Sequence, residues 1–229
     1  LGPDFRDQRL ADRLGIRPSR LTHHLTDQLL IGYAAGTLPE AFNLVVATHL
    51  SMCDSCRAAA QAYDAIGGAF LETDAQASMD EGALEETLAL IGKGPSAAKP
   101  MAASDVPSPL GAYIGGGLGD VKWRSVGTGV RQAVLSTSKS ATARLLYIPA
   151  GAAVPDHGHR GTELTLVLQG AFRDATARFA AGDVEVANED LNHTPVAEIG
   201  EDCICLAATD APLRFNSWIP RMAQPFLRI

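Results

Sequence analysis

The sequence predicts a multidomain α plus all-β protein: a small helical domain over residues 22–92, followed by a β-barrel over residues 110–229. Three observations carry this. Apolar residues recur at helical spacing in the first stretch, and short β-type runs punctuated by Gly and Pro fill the second. Between them, residues 93–109 (KGPSAAKPMAASDVPSP) are rich in Pro, Ala and Ser without periodicity, which is the composition of a linker. A chain of 229 residues is long enough to bury two such cores. Residues 1–21 are read as an extension that takes no part in the fold.

In THHLTDQLLIGYAAGTL, Leu25, Leu29, Leu30 and Tyr33 share a helical face, and Gly36 closes the run. PEAFNLVVATHLSMC opens on Pro39, whose fixed φ suits a first helical turn, and sets Phe42, Val45, Val46 and Leu50 on one side. CRAAAQAYDAIGGAFLE is an Ala-rich third helix with a weak point at Gly67-Gly68. In SMDEGALEETLALIG, Ser78 and Glu81 have the spacing of a capping box, so a fourth helix is expected over Ser78–Ile91. Its stripe is Leu84, Leu88 and Ile91, and Gly92 stops it. Beyond the linker, RQAVLSTS, ATARLLYIPAG, ELTLVLQGAF, DATARFAAGDVEVAN and DCICLAATD read as short strands of an antiparallel sandwich or barrel.

Mean hydropathy is +0.04, and no apolar run approaches the ~18–20 residues of a membrane helix, so no membrane association is expected. Nor is there the basic start, apolar middle and cleavage site of a signal peptide. Four cysteines in such a chain do not make a disulfide scaffold, and a CxxC here suggests metal or redox chemistry in a reducing compartment; a cytoplasmic location is expected. Nearly all the charge imbalance sits in residues 22–92, where Arg57 alone faces ten acids, a balance of −9 against −7 for the whole chain. Such a region cannot neutralise phosphates, which argues against direct nucleic-acid binding, but it suits a basic protein surface.

HLSMCDSC places His49, Cys53 and Cys56 at offsets 0, 4 and 7. On one helix these fall within roughly 60° of each other. If the helix breaks at Asp54-Ser55, the CxxC still forms a tight turn around one ion. Thiolates with imidazole suit zinc, whose structural sites want four tetrahedral ligands, so the fourth must come from elsewhere: His23 or His24. A thioredoxin-like redox pair would need a βαβ context that is missing here. In the second half, GAAVPDHGHRGTELTLVLQG gives His157 and His159 the same side of a strand, with Glu163 on the same parity beyond the Gly161 turn and His193 further on. Three imidazoles and a carboxylate can hold a divalent metal; spacing alone does not choose among Zn, Fe, Mn and Ni.

Gly151 to Gly170 resembles the first cupin motif, G(X)5HXH(X)3E(X)6G, at every defined position. The second motif, G(X)5PXG(X)2H(X)3N, is kept at Gly182 and His193, while Asn188, Asp190 and Ala197 replace its Pro, Gly and Asn. The first half resembles the zinc-binding anti-sigma domain, whose signature is an upstream His followed by HxxxCxxC; His49, Cys53 and Cys56 match it, and the resemblance aligns His24 with the upstream His. The pair of domains is similar to the anti-sigma factors that carry a C-terminal cupin. That resemblance implies a cytoplasmic inhibitor of an extracytoplasmic-function sigma factor of the RpoE class, releasing it on oxidative stress, singlet oxygen in particular. The cupin would then be sensory and dispensable for sigma binding. It implies zinc at His24, His49, Cys53 and Cys56 and a divalent metal, expected to be zinc, at His157, His159, Glu163 and His193. Leu84, Leu88 and Ile91 either bind the sigma factor or complete the domain's own core. The alternative function is a metal-dependent cupin enzyme, a dioxygenase or isomerase with a helical zinc appendage.

Cys203 and Cys205, at i and i+2 of a strand, share a face. Their Cα atoms would be roughly 6.5–7 Å apart, at the limit for a disulfide, so stepwise oxidation or a plain core role is expected instead.

Overall fold

The computed structural model describes residues 21–94 and 106–215. Residues 1–20 of the expected extension, residues 95–105 of the expected linker and the barrel's end from residue 216 lie outside the described residues, whereas Leu21, expected in the extension, packs against the core. Among those described, five helices are followed by twelve strands. The helices are α1 (Asp27–Ala34), α2 (Glu40–Met52), α3 (Asp54–Thr73), α4 (Ala83–Gly92) and α5 (Ser108–Ile114).

Thr26 caps α1 by accepting a hydrogen bond from the Leu29 amide, and Gly36 at φ +65° turns the chain afterwards. Pro39 caps α2, which buries Phe42, Leu44, Val45, Val46, His49 and Leu50. At Cys53 the chain leaves helical geometry and re-enters it at once: Cys53 is extended, ends α2 and caps α3, its sulfur accepting from the Cys56 amide. The third helix then runs unbroken through Gly67-Gly68, because two glycines weaken a helix without removing a hydrogen bond. The expected capping box is not formed. Gly82, at φ +92°, precedes a helix that starts only at Ala83, and Ser78 and Glu81 stay outside it.

The end of the expected linker is folded. Val106 is buried and α5 buries Leu110 beside α2. Glu40, in the first turn of α2, accepts from the Tyr113 hydroxyl and from the Ser138 amide, tying α5 and the loop that carries Ser138 to that helix.

The β part is a barrel of antiparallel pairs. Its main sheet has the order β1-β2-β3-β11-β5-β8, made from β1 (Arg124–Gly127), β2 (Val130–Val134), β3 (Thr142–Ile148), β11 (Cys203–Thr209), β5 (Glu163–Gln169) and β8 (Val184–Ala187). Two small sheets close it: one of β10 (Val196–Ala197), β6 (Ala171–Arg173) and β7 (Arg178–Ala180), and one of β12 (Arg214–Phe215), β4 (His157–Gly158) and β9 (Asn192–His193), each in that order. One face of the main sheet looks into the barrel. The other, with Ala143, Leu145, Leu164, Leu166, Val184, Leu206 and Ala208, joins Leu30, Phe42, Val45, Val46 and Leu50 in one continuous core under α2. Both faces of β11 are therefore covered, and all seven of its residues are buried.

Candidate functional site

Two clusters of metal-ligating side chains form, and both follow from how the chain turns. In the first, the helix break at Cys53 brings both thiols to the α2–α3 junction, one turn beyond His49. The segment before α1 supplies the fourth member. His24 Nδ1 lies 3.3 Å from Cys53 Sγ and 3.5 Å from Cys56 Sγ. The ligand atoms of His24, His49, Cys53 and Cys56 all lie within 4.8 Å of one another. His23 is engaged elsewhere: its Nε2 is 3.1 Å from the Arg178 carbonyl and its ring packs on Phe179.

His49 is fully buried. Its Nδ1 meets the Gly182 carbonyl at 2.9 Å, and its Nε2 is buried with no hydrogen-bond partner. A carbonyl can only accept, so Nδ1 carries the proton and Nε2 presents a lone pair to the sulfurs. Burial pushes the His49 pKa down, which keeps the ring neutral. Burial and the neighbouring Cys53 push the Cys56 thiol up to about 11. An orphaned imidazole nitrogen facing two thiols and a second imidazole is a donor set that fits zinc.

The second cluster sits inside the barrel. Pairing of β4 with β9 sets His157 directly opposite His193. His159 follows β4 by one residue, and its Nε2 is 3.4 Å from His193 Nε2. The ligand nitrogens of the three histidines lie within 4.8 Å of one another. Glu163, the first residue of β5, stands at the edge of this trio: its Oε2 is 3.9 Å from His159 Nδ1, and its Oε1 accepts from the Thr165 hydroxyl at 3.0 Å. His157 Nδ1 donates to the Pro155 carbonyl at 2.8 Å, so its Nε2 is the free nitrogen. Burial lowers the pKa of His157 and of His159, with Glu163 opposing it in both. Neutral buried imidazoles that converge on one point fit a divalent metal, with Glu163 within reach as a fourth ligand.

Two acids that the sequence reading missed stand behind His193. Its Nδ1 donates to Asp174 Oδ2 at 2.9 Å, and Glu185 Oε1 lies 3.2 Å from the same nitrogen. Burial pushes the His193 pKa down, but Glu185 and Asp174 outweigh it and the net shift is upward. Asp174 is held well below the usual carboxylate range: burial raises it, and the Thr176 hydroxyl, the Ala177 amide and His193 more than reverse that. These acids fix the tautomer that leaves His193 Nε2 facing the other histidines. A signal for Glu185 was present in DVEVAN, where a charge occupies the inward position of an alternating strand.

The clusters are joined by a short stretch of the barrel. Gly182, whose carbonyl holds His49, has φ +94°, and a Cβ there would come within 2.2 Å of Leu21 Cδ2. The next residue, Asp183, accepts from the amides of Thr22 and His23 at 2.7 and 3.0 Å, and the Val184 amide donates to the His23 carbonyl at 3.2 Å. Glu185 then turns inward to His193. Residues 182–185 thus touch both clusters.

Cys203 and Cys205 are both buried and their sulfurs lie 3.6 Å apart. Cys203 and burial push the Cys205 thiol well above its usual value, so it stays protonated. Leu84, Leu88 and Ile91 do not complete a core: they are 64%, 57% and 68% exposed on α4. Leu90 on the same helix is exposed as well, so the apolar surface of α4 is wider than the expected stripe, and Phe70 and Leu71 at the end of α3 are also exposed.

The family model for the ChrR cupin-like domain matches residues 115–212. The anti-sigma-E factor ChrR of Cereibacter sphaeroides is 60% identical over 211 residues, covering 91% of this chain and 99% of its own. The chain belongs to the ChrR family of anti-sigma factors. A crystal structure of Rhodobacter sphaeroides SigE in complex with the anti-sigma ChrR aligns with a TM-score of 0.75 at 59% identity, over 83% of this chain and 99% of that one. These ChrR relatives are regulators, which places the regulatory reading above a cupin enzyme. Among the described residues, no helix is long and apolar enough to cross a membrane.

Proposed function

We propose that this chain binds an extracytoplasmic-function sigma factor of the RpoE class in the cytoplasm and holds it inactive, and that the barrel governs its release under oxidative stress, singlet oxygen in particular. The observation that carries the inhibitory role is the exposed apolar surface of α4, with Leu84, Leu88, Leu90 and Ile91 uncovered on a chain of the ChrR family. Exposed apolar patches of this kind mark docking surfaces, and the acidic surroundings suit a partner that must present basic faces to DNA and polymerase. His24, His49, Cys53 and Cys56 would hold zinc, which supplies folding free energy to the helix junction. His157, His159, Glu163 and His193 would hold a divalent metal, zinc as the expected ion, in the sensory barrel. The span Gly182–Glu185 gives the barrel a direct hold on the zinc ligands.

The test is transcription from a cognate promoter in the presence of the purified full chain. Inhibition is expected, and Leu84→Asp with Leu88→Asp should weaken it by about tenfold or more without lowering the melting temperature, because both side chains are exposed. Illumination with a singlet-oxygen source should restore transcription for the native chain, and that light-dependent increment should be lost in His157→Ala/His159→Ala. Full inhibition by the Leu84/Leu88 variant would remove α4 from the interface, and normal release by the histidine variant would remove the barrel metal from sensing.

A further inference from the structure

The barrel interior holds a charged group that neither metal cluster uses. Arg144, on β3, lines the cavity beside Leu146 and Ile148 and is 5% exposed. Its guanidinium makes one long hydrogen bond, Nη2 to Thr209 Oγ1 at 3.5 Å, and its Nε is buried without a partner. Among the described residues no carboxylate forms an ion pair with it. Burial draws its pKa below the ordinary arginine value, with Glu163 opposing, yet a guanidinium keeps its proton in any protein interior. A buried cation with no ion-pair partner among the described residues is expensive, and this one stands in the wall of the barrel.

The two acids that line the same cavity are committed. Glu163 accepts from Thr165 and faces His159; Glu185 stands against His193. The register explains why Glu163 and Arg144 share a neighbourhood without pairing: Glu163 lies opposite Thr209 across β11, and Arg144 reaches the same Thr209 from the other side. The cavity is about 270 Å3, and apart from these groups its wall is mainly apolar, with Val126, Val130, Val154 and Phe172 among it. At ~30 Å3 per water, that is room for a ligand of roughly eight to ten non-hydrogen atoms.

We propose that the barrel binds a small monocarboxylate with an apolar body, its carboxylate on the Arg144 guanidinium beside the metal cluster. A flat two-oxygen anion matches the fork of the guanidinium, and the apolar wall takes the rest of the molecule. A phosphate monoester fits worse. It carries up to two charges and a third oxygen, whereas among the described residues no other Lys or Arg lines the cavity and the acids Glu163 and Glu185 do. The site is independent of the sigma-binding reading, since it stands or falls on ligand binding alone.

The experiment is calorimetric titration of the zinc-loaded full chain with hexanoate, hexanamide and inorganic phosphate. Hexanoate is expected to saturate one site, with hexanamide and phosphate weaker by about tenfold or more, the size of one charge-assisted contact. Arg144→Gln should weaken hexanoate by about tenfold while leaving hexanamide unchanged, the latter also reporting an intact cavity. If Arg144→Gln does not fold, Arg144→Lys takes its place: it keeps the charge but not the fork, and should weaken hexanoate relative to hexanamide. The proposal is overturned if hexanoate does not bind, if hexanamide binds as well, or if phosphate binds more tightly. It is equally overturned if hexanoate ignores the arginine substitution, which would put the carboxylate on the metal.

Discussion

In the metal-free protein the Cys56 thiol, pushed up to about 11 by burial and by Cys53, is protonated at neutral pH. Zinc takes the thiolate, so binding must expel that proton, and acid competes with the metal. The affinity of the helical site should therefore fall as pH falls, by about one to two tenfold steps per pH unit near neutrality, as one or both thiols lose a proton on binding. Competition against a chelator across pH 6–8 measures this; a flat profile would mean the thiols are not the ligands. The spacing of His49, Cys53 and Cys56 was readable in the sequence because the chemistry needs those types at short range. The choice between His23 and His24 was not, since the two are adjacent and only tertiary contacts separate them: the Arg178 carbonyl and Phe179 take His23. Asp174 escaped for the same reason, being near His193 in space and not in sequence, and the inward charge of DVEVAN marks Glu185 without naming His193 as its partner.

At the scale of elements, periodicity located the helices and misjudged some of their edges. Ser78 and Glu81 have capping-box spacing, but the chain enters α4 through Gly82 in the left-handed region, a route that spacing cannot reveal. The alternation expected of a barrel strand is missing from β11, where every residue is buried, because α2 covers the face that would otherwise meet water. That packing makes Leu206, buried between β3 and β5 on the helix-covered face, a residue of both parts at once. Leu206→Ala should cost about 2–5 kcal/mol, as for other fully buried leucines. It should lower a single melting transition followed both by far-ultraviolet circular dichroism and by zinc release. Two transitions, with only the barrel's shifted, would show that the shared core contributes little to the helices.

For the whole molecule, the consequence of the shared core is that two clusters of metal-ligating side chains, distant in sequence, are joined by four consecutive residues. Gly182 orients His49, Asp183 pins the chain that carries His24, and Glu185 orients His193. A rearrangement of the barrel cluster that moves Glu185 also moves its neighbours on the same strand, and packed strands shift as units. Loss of the barrel metal should then loosen the helical site. In His157→Ala/His159→Ala protein, zinc held by His24, His49, Cys53 and Cys56 should pass to a chelator about 5–150-fold more readily, the usual range of coupling between sites. Asp183→Ala removes the clamp on Thr22 and His23, and should raise the release rate by itself. If the clamp carries the coupling, adding the histidine substitutions to Asp183→Ala changes little more. Strictly additive effects would mean that the two clusters respond independently and that release of a partner from the helices needs another route.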